Sequence, residues 1–265
     1  MEFVIAVVQF KPSRKNIKKN IQKIYRIIEG VNADMIVLPE LANSGYLYET
    51  SLGLAPFSEV NDGSGPFLSS LIELSAKTKG VIVTGYAEKD GQHLFNSSCA
   101  ICPEGVIANY RKTHLYDHEK ELFQPGDTGF STFDWRGVKI GMMICFDWIF
   151  PEACRTLALA GAQIIAHPAN LVLQYCQDAM ITRSIENKVF TITSNRIGEE
   201  KLGSMKLTFT GVSQITDPSG SVRYRGPKKK ATVHIMTIDP DAALQKAINQ
   251  QNDLFSDRRT ALYRI

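Results

Sequence analysis

Apolar residues along the chain come in short, nearly continuous runs. Phe3–Phe10 reads Phe-Val-Ile-Ala-Val-Val-Gln-Phe, Met35–Leu38 reads Met-Ile-Val-Leu, and Val81–Thr84 reads Val-Ile-Val-Thr. Val138–Ile144 is apolar apart from Lys139 and Gly141. Runs of this length describe strands buried on both faces. Between the first two, Ile17, Ile21, Ile24 and Ile28 recur at the spacing of one helix face. Ser13 is the expected N-cap of that helix and Gly30 its stop. Phe67–Lys79 predicts a second helix, closed by Gly80. Leu94–Cys102 and Gly105–Tyr110 predict a hairpin across Pro103-Glu104-Gly105. Arg111–Phe130 reads as a polar loop with one helical turn. A helix is expected from Pro151 to Gly161, a strand over Gln163–Ala166, a helix over Asp178–Lys188 and a strand over Val189–Thr193. Gly211–Thr216 and Ser221–Tyr224 flank the turn Asp217-Pro218-Ser219-Gly220. A strand over Ala231–Ile238, a short helix near Asp239–Ile248 and a tail complete the pattern. Strands alternating with helices, and interrupted by hairpins, predict an α/β protein with mixed sheets. Helices on one face of each of two sheets make a layered sandwich.

At 265 residues, with no linker, low-complexity block or internal repeat, the chain reads as one domain over 1–265. No apolar stretch approaches the ~20 residues of a membrane span. The N-terminus has no basic segment or cleavage site, which speaks against secretion. Five cysteines, an odd count, point to reduced thiols and a cytoplasmic setting. The net charge of +3 is too small to imply nucleic acid. Lys11 to Lys19 belong to the wet face of the first helix, and Lys228-Lys229-Lys230 to an exposed turn. Aromatic residues do not interleave with either cluster as a nucleic-acid platform requires. Glu59 and Asp62 read as surface-loop residues.

Three reactive residues share one kind of address. Glu40 follows the strand Met35–Leu38, Lys112 follows the strand ending near Tyr110, and Cys145 ends its own strand. Pro151 is suited to the first turn of the helix after Cys145, and Glu152 places negative charge near its positive end. Ligands and reactive groups collect at such strand ends in α/β sheets. On position alone Cys145 fits a small buried hydrophobe equally well. If the three strands are neighbours, a carboxylate, an ammonium and a thiol converge into an acyl-transfer site. The thiolate is the nucleophile, and a neighbouring positive charge lowers its pKa from ~8.5. The carboxylate takes the thiol proton and returns it to a leaving amine. The ammonium and a backbone N–H hold the oxyanion. Cys99-Ala-Ile-Cys102 has redox spacing, but strand alternation points its cysteines to opposite faces, so it reads as core. Cys154 and Cys176 read as packing residues. His114 and His167 read as structural hydrogen-bonding groups, and Asn170 as a pocket candidate. Tyr46 and Trp148 are candidates either for the pocket lining or for plain packing.

The segments Leu38–Tyr46, Tyr110–Tyr116 and Met143–Asp147 closely resemble the three signatures of the carbon–nitrogen hydrolase family, the nitrilase superfamily. The likeness extends to His167-Pro-Ala-Asn170, Ser184–Asn187, Ser194-Asn195-Arg196 and Asp257-Arg258-Arg259. Phe146–Glu152 and His167–Leu171 look especially like the short archaeal nitrilase/amidase branch. The resemblance implies a four-layer αββα sandwich that pairs as αββα–αββα in a homodimer, often within larger oligomers. The tail from about 240 to 265 is then expected at a subunit interface. It implies Glu40 as general base, Lys112 as oxyanion stabiliser and Cys145 as nucleophile, with the N–H of Phe146 completing the oxyanion hole. The family's second glutamate matches Glu119, with Glu121 as the rival. No metal or organic cofactor is implied, and the expected partner is a small-molecule amide or nitrile. Many nitrilases carry Trp-Glu after the nucleophile. Phe146-Asp147 here favours amides over nitriles or N-carbamoyl amines. A glutaminase module is disfavoured because no second domain is seen. A catalytically silent binding protein has no need of all three reactive residues.

Overall fold

A computed structural model describes residues Met1–Tyr263; positions 264 and 265 of the predicted tail lie outside the described residues. The strands are β1 (Phe3–Gln9), β2 (Met35–Val37), β3 (Val81–Asp90), β4 (His93–Cys102), β5 (Gly105–Arg111), β6 (Thr132–Trp135) and β7 (Val138–Met142). They continue with β8 (Ile164–Ala169), β9 (Phe190–Asn195), β10 (Ile197–Leu202), β11 (Met205–Thr210), β12 (Gln214–Thr216), β13 (Val222–Arg225) and β14 (Thr232–Ile238). The helices are α1 (Ile17–Ile28), α2 (Ser51–Leu54), α3 (Pro66–Thr78), α4 (Glu119–Leu122), α5 (Pro151–Leu159) and α6 (Cys176–Asn187).

Two six-stranded sheets form, in the orders β14-β1-β2-β3-β4-β5 and β13-β12-β9-β8-β7-β6, with β10 and β11 as a separate hairpin. The apolar runs are continuous because each strand face has its own core. Phe3, Ile5, Val7, Met35, Val37, Val81 and Val83 share a core with Val138, Ile140, Met142, Ile164 and Ile192 of the second sheet. The intervening Ala6, Val8, Ile36 and Ile82 pack with Ile24 and Ile28 of α1 and with Phe67, Leu71 and Leu74 of α3. On the second sheet, Leu157 of α5 and Met180 of α6 cover the outer face. The result is the layered αββα sandwich.

Several local expectations need correction. Asn16, not Ser13, caps α1, its side chain accepting from the N–H of Lys19. The Ser13 N–H is instead taken by Asn20 Oδ1. The left-handed residue that ends α3 is Lys79. Gly80 is needed for close approach, since a Cβ there would lie 1.9 Å from the Ala33 carbonyl oxygen. Glu59 is buried, and its carboxylate accepts from the N–H groups of Phe67 and Leu68 at 2.7 and 2.9 Å. It thereby caps the positive end of α3. Asp62 is exposed, as expected. The helix expected near Asp239–Ile248 is only a 3-10 turn over Pro240–Leu244. β6 and the hairpin β10–β11 escaped the sequence pattern. Among the described residues no helix is long and apolar enough to cross a membrane.

Candidate active site

Glu40, Lys112 and Cys145 come together where the two sheets meet. Glu40 follows β2 and is fully buried. Its Oε1 accepts from Lys112 Nζ at 2.8 Å and from Asn96 Nδ2 at 2.7 Å. Its Oε2 has no protein partner. Lys112 directly follows β5, and its ammonium also donates to both oxygens of Glu119, at 2.9 and 2.7 Å. Burial works against the charge on Lys112, but Glu119 and Glu40 outweigh it and hold the ammonium well above its ordinary range. Burial pushes the Glu119 carboxyl up, with Lys112 opposing and Glu40 adding to the rise. Glu119 therefore shares the Lys112 ammonium with Glu40. Glu121 points away, with its side chain 73% exposed and paired to His118.

Cys145 opens a 3-10 turn, Cys145–Ile149, between β7 and α5. Its φ of +42° is the left-handed region, sparsely used by residues with a side chain. Two buried groups hold that conformation. Asp147 Oδ2 accepts from the Ile144 N–H and the Tyr110 hydroxyl, both at 2.8 Å, and its Oδ1 faces His114 Nδ1 at 2.8 Å. His167 lies between the Cys145 carbonyl and Thr193 Oγ1, at 3.0 Å from each. Burial pulls His167 below its ordinary value, so it is neutral near pH 7. A carbonyl only accepts, so Nε2 carries the proton and Nδ1 accepts from Thr193. His167 thus makes structural hydrogen bonds of the kind read from the sequence, whereas the sequence carried no sign of the Asp147 contacts.

Burial pushes the Cys145 thiol well above its ordinary range. Glu40 adds to the rise, while Lys112 and the backbone N–H of Asn170 oppose it. This corrects the expectation of a depressed thiol pKa. One ammonium is shared by two carboxyl groups. Cys145 therefore rests as a thiol.

A cleft over Cys145 is lined by Tyr116, Phe146, Trp148, Asn170 and Leu171. The Asn170 side chain is buried with both its amide atoms unpaired. Tyr46 enters through its hydroxyl, which donates to Glu119 Oε1 at 2.8 Å. Among the described residues no group of three or more His, Cys, Asp or Glu side chains is placed to hold a metal ion. A buried carboxylate with one free oxygen, an ammonium and a neutral thiol suit proton-coupled acyl transfer.

Residues 4–247 match the carbon-nitrogen hydrolase family model. The chain is 42% identical over 262 residues to a nitrilase from Pyrococcus abyssi, covering 98% of each chain. It is 33% identical over 235 residues to an (R)-stereoselective amidase from a Pseudomonas species, covering 87% of this chain and 81% of that one. Its fold is shared with a carbon-nitrogen hydrolase from Helicobacter pylori G27, with a TM-score of 0.84 at 22% identity over 99% and 97% of the two chains. The chain therefore belongs to the carbon-nitrogen hydrolase family of the nitrilase superfamily.

Proposed function

We propose that this hydrolase cleaves small, linear, non-peptide amides to a carboxylic acid and ammonia through a thioester on Cys145. The observation that carries the reading is the free Oε2 of a buried Glu40 whose other oxygen is fixed by Lys112 and Asn96. Cys145 Sγ attacks the amide carbon as its proton passes to Glu40. Lys112 and the N–H of Phe146 hold the oxyanion of the tetrahedral intermediate. Glu40 then protonates the departing nitrogen, the C–N bond breaks, and ammonia leaves. Glu40 next takes a proton from water, the hydroxide adds to the thioester carbon, and the acid departs as the thiol is restored. Glu119 orients Lys112 throughout. Trp148 and Asn170 contact the substrate from the cleft wall.

A second reading, hydrolysis of small nitriles through a thioimidate on the same cysteine, is favoured by the 42% identity to a protein named nitrilase. The Phe146-Asp147 pair keeps amides ahead of it. The same proposal takes the working enzyme to be a cytoplasmic homodimer without metal or organic cofactor. Exposed Ile149, Leu159, Tyr175 and Ile185 on and beside α5 and α6 support the pairing, and light scattering measures it. Ammonia release from a panel of small amides, N-carbamoyl amines and nitriles tests the function, with Cys145→Ala beside the parent protein. Turnover on amides that vanishes in the variant is expected. Turnover confined to nitriles or N-carbamoyl amines would replace the substrate class. Turnover surviving in Cys145→Ala would overturn the mechanism.

A further inference from the structure

The hairpin of β10 and β11 stands outside both sheets, yet a buried ion pair anchors it to the site. Arg196, which precedes β10, is fully buried and donates through Nη1 to Glu200 Oε1 at 2.5 Å; the Glu200 side chain is only 5% exposed. The Glu200 carboxylate also accepts from the backbone N–H of Tyr46 at 3.1 Å and of Leu47 at 2.8 Å. Gly45 leaves room for this approach. It has a φ of +80°, and a Cβ there would lie 2.8 Å from Arg14 Cα and 3.1 Å from Glu200 Oε1. Phe209 of β11 lies between Arg196 and Tyr46. The Arg196 guanidinium is 3.9 Å from the centre of its ring, and the Tyr46 ring meets it edge to face at 5.7 Å. Tyr46 is thus fixed at its backbone and at its ring. Its hydroxyl donates to the same Glu119 oxygen that Lys112 holds at 2.9 Å. A buried ion pair stabilises a fold little better than apolar residues of the same volume. Its placement behind Tyr46 suits a role in the site.

We propose that Arg196, Glu200 and Phe209 are positioning residues, which act through Tyr46 to hold the Glu119 carboxylate on the Lys112 ammonium. This deepens the functional reading above and rests on Glu119 serving the site. Loss of the Tyr46 donor removes a hydrogen bond to ionised Glu119, so its carboxyl titrates at higher pH.

The test is a double-mutant cycle on kcat between Glu200→Gln and Tyr46→Phe. Glu200→Gln is expected to lower kcat roughly fivefold to tenfold, the size of one hydrogen bond. KM should hardly move, and the acid limb of the kcat profile should shift to higher pH. In the Tyr46→Phe background the same change should add almost nothing. Losses that multiply, or an unchanged kcat and pH profile in a folded Glu200→Gln protein, would overturn the proposal. If Glu200→Gln does not fold, Phe209→Leu enters the same cycle with the same expectations. Turnover that is lost in Cys145→Ala is established first, so a failed functional reading shows before the cycle begins. In that event the cycle is read on the pH dependence of Cys145 alkylation by iodoacetamide, because Glu119 acts on the charge of that thiol.

Discussion

Two six-stranded sheets of this molecule repeat one pairing pattern and hold opposite halves of the chemistry. In the first, β14 and β1 are antiparallel, β1, β2 and β3 are parallel, and β3, β4 and β5 are antiparallel. In the second, β6, β7, β8, β9, β12 and β13 follow the same sequence of directions. β2 and β8 occupy equivalent places, and Glu40 follows one while Asn170 follows the other. The first sheet and the loop beyond it bring the charges Glu40, Lys112 and Glu119, mutually compensated out of water. The second brings a neutral thiol with neutral supports, His167 and Asn170. Cys145 reaches the charged residues when the sheets pack. Asp147 ties the halves together, since it lies in the turn of Cys145 and accepts from Tyr110 of β5.

This division predicts that variants on the two sides fail differently. Cys145→Ala removes the second sheet's contribution, and kcat is expected to fall by on the order of 10⁴ or more, with little change in thermal midpoint. Glu40→Gln removes the proposed base, and kcat should fall by roughly 10²–10⁴. Yet it also deletes a negative neighbour that pushes the Cys145 thiol up. The pH limb for iodoacetamide alkylation of Cys145 should therefore move to lower pH, and a limb that moves upward would refute the charge assignment. Asp147→Asn loosens the tie between the sheets. It should lower kcat about tenfold and cost about 1–3 kcal/mol in urea unfolding. Glu59→Gln lies on the first sheet's side but away from the site. It should cost about 1 kcal/mol through the weakened cap of α3 and leave kcat per folded molecule unchanged.

The parts of the fold legible in the sequence are those buried on both faces. β1, β2, β3, β7 and β8 announce themselves as apolar runs because helices cover one face and the other sheet covers the opposite one. Glu40 and Cys145 stand out for a related reason, as polar or reactive residues just beyond such runs, whereas Lys112 follows the partly buried hairpin strand β5. The hairpin β10–β11 was not legible. Ile-Gly-Glu-Glu-Lys-Leu carries charges in a row, and nothing in that string shows that Glu200 is buried against Arg196 while Glu199 stays in water. The expected depression of the Cys145 pKa failed because burial first, and then the carboxylates that share Lys112, outweigh the pull of that lysine. Asn96, whose amide fixes Glu40, lies within a hairpin strand with no motif around it.

The most direct test of the central claim is the mass of the peptide carrying Cys145 when turnover of the best amide is quenched with acid. The account predicts an adduct on Cys145 equal to the amide minus ammonia, the acyl group of a thioester. Steady turnover with no adduct on Cys145, or with the adduct on another residue, would contradict it.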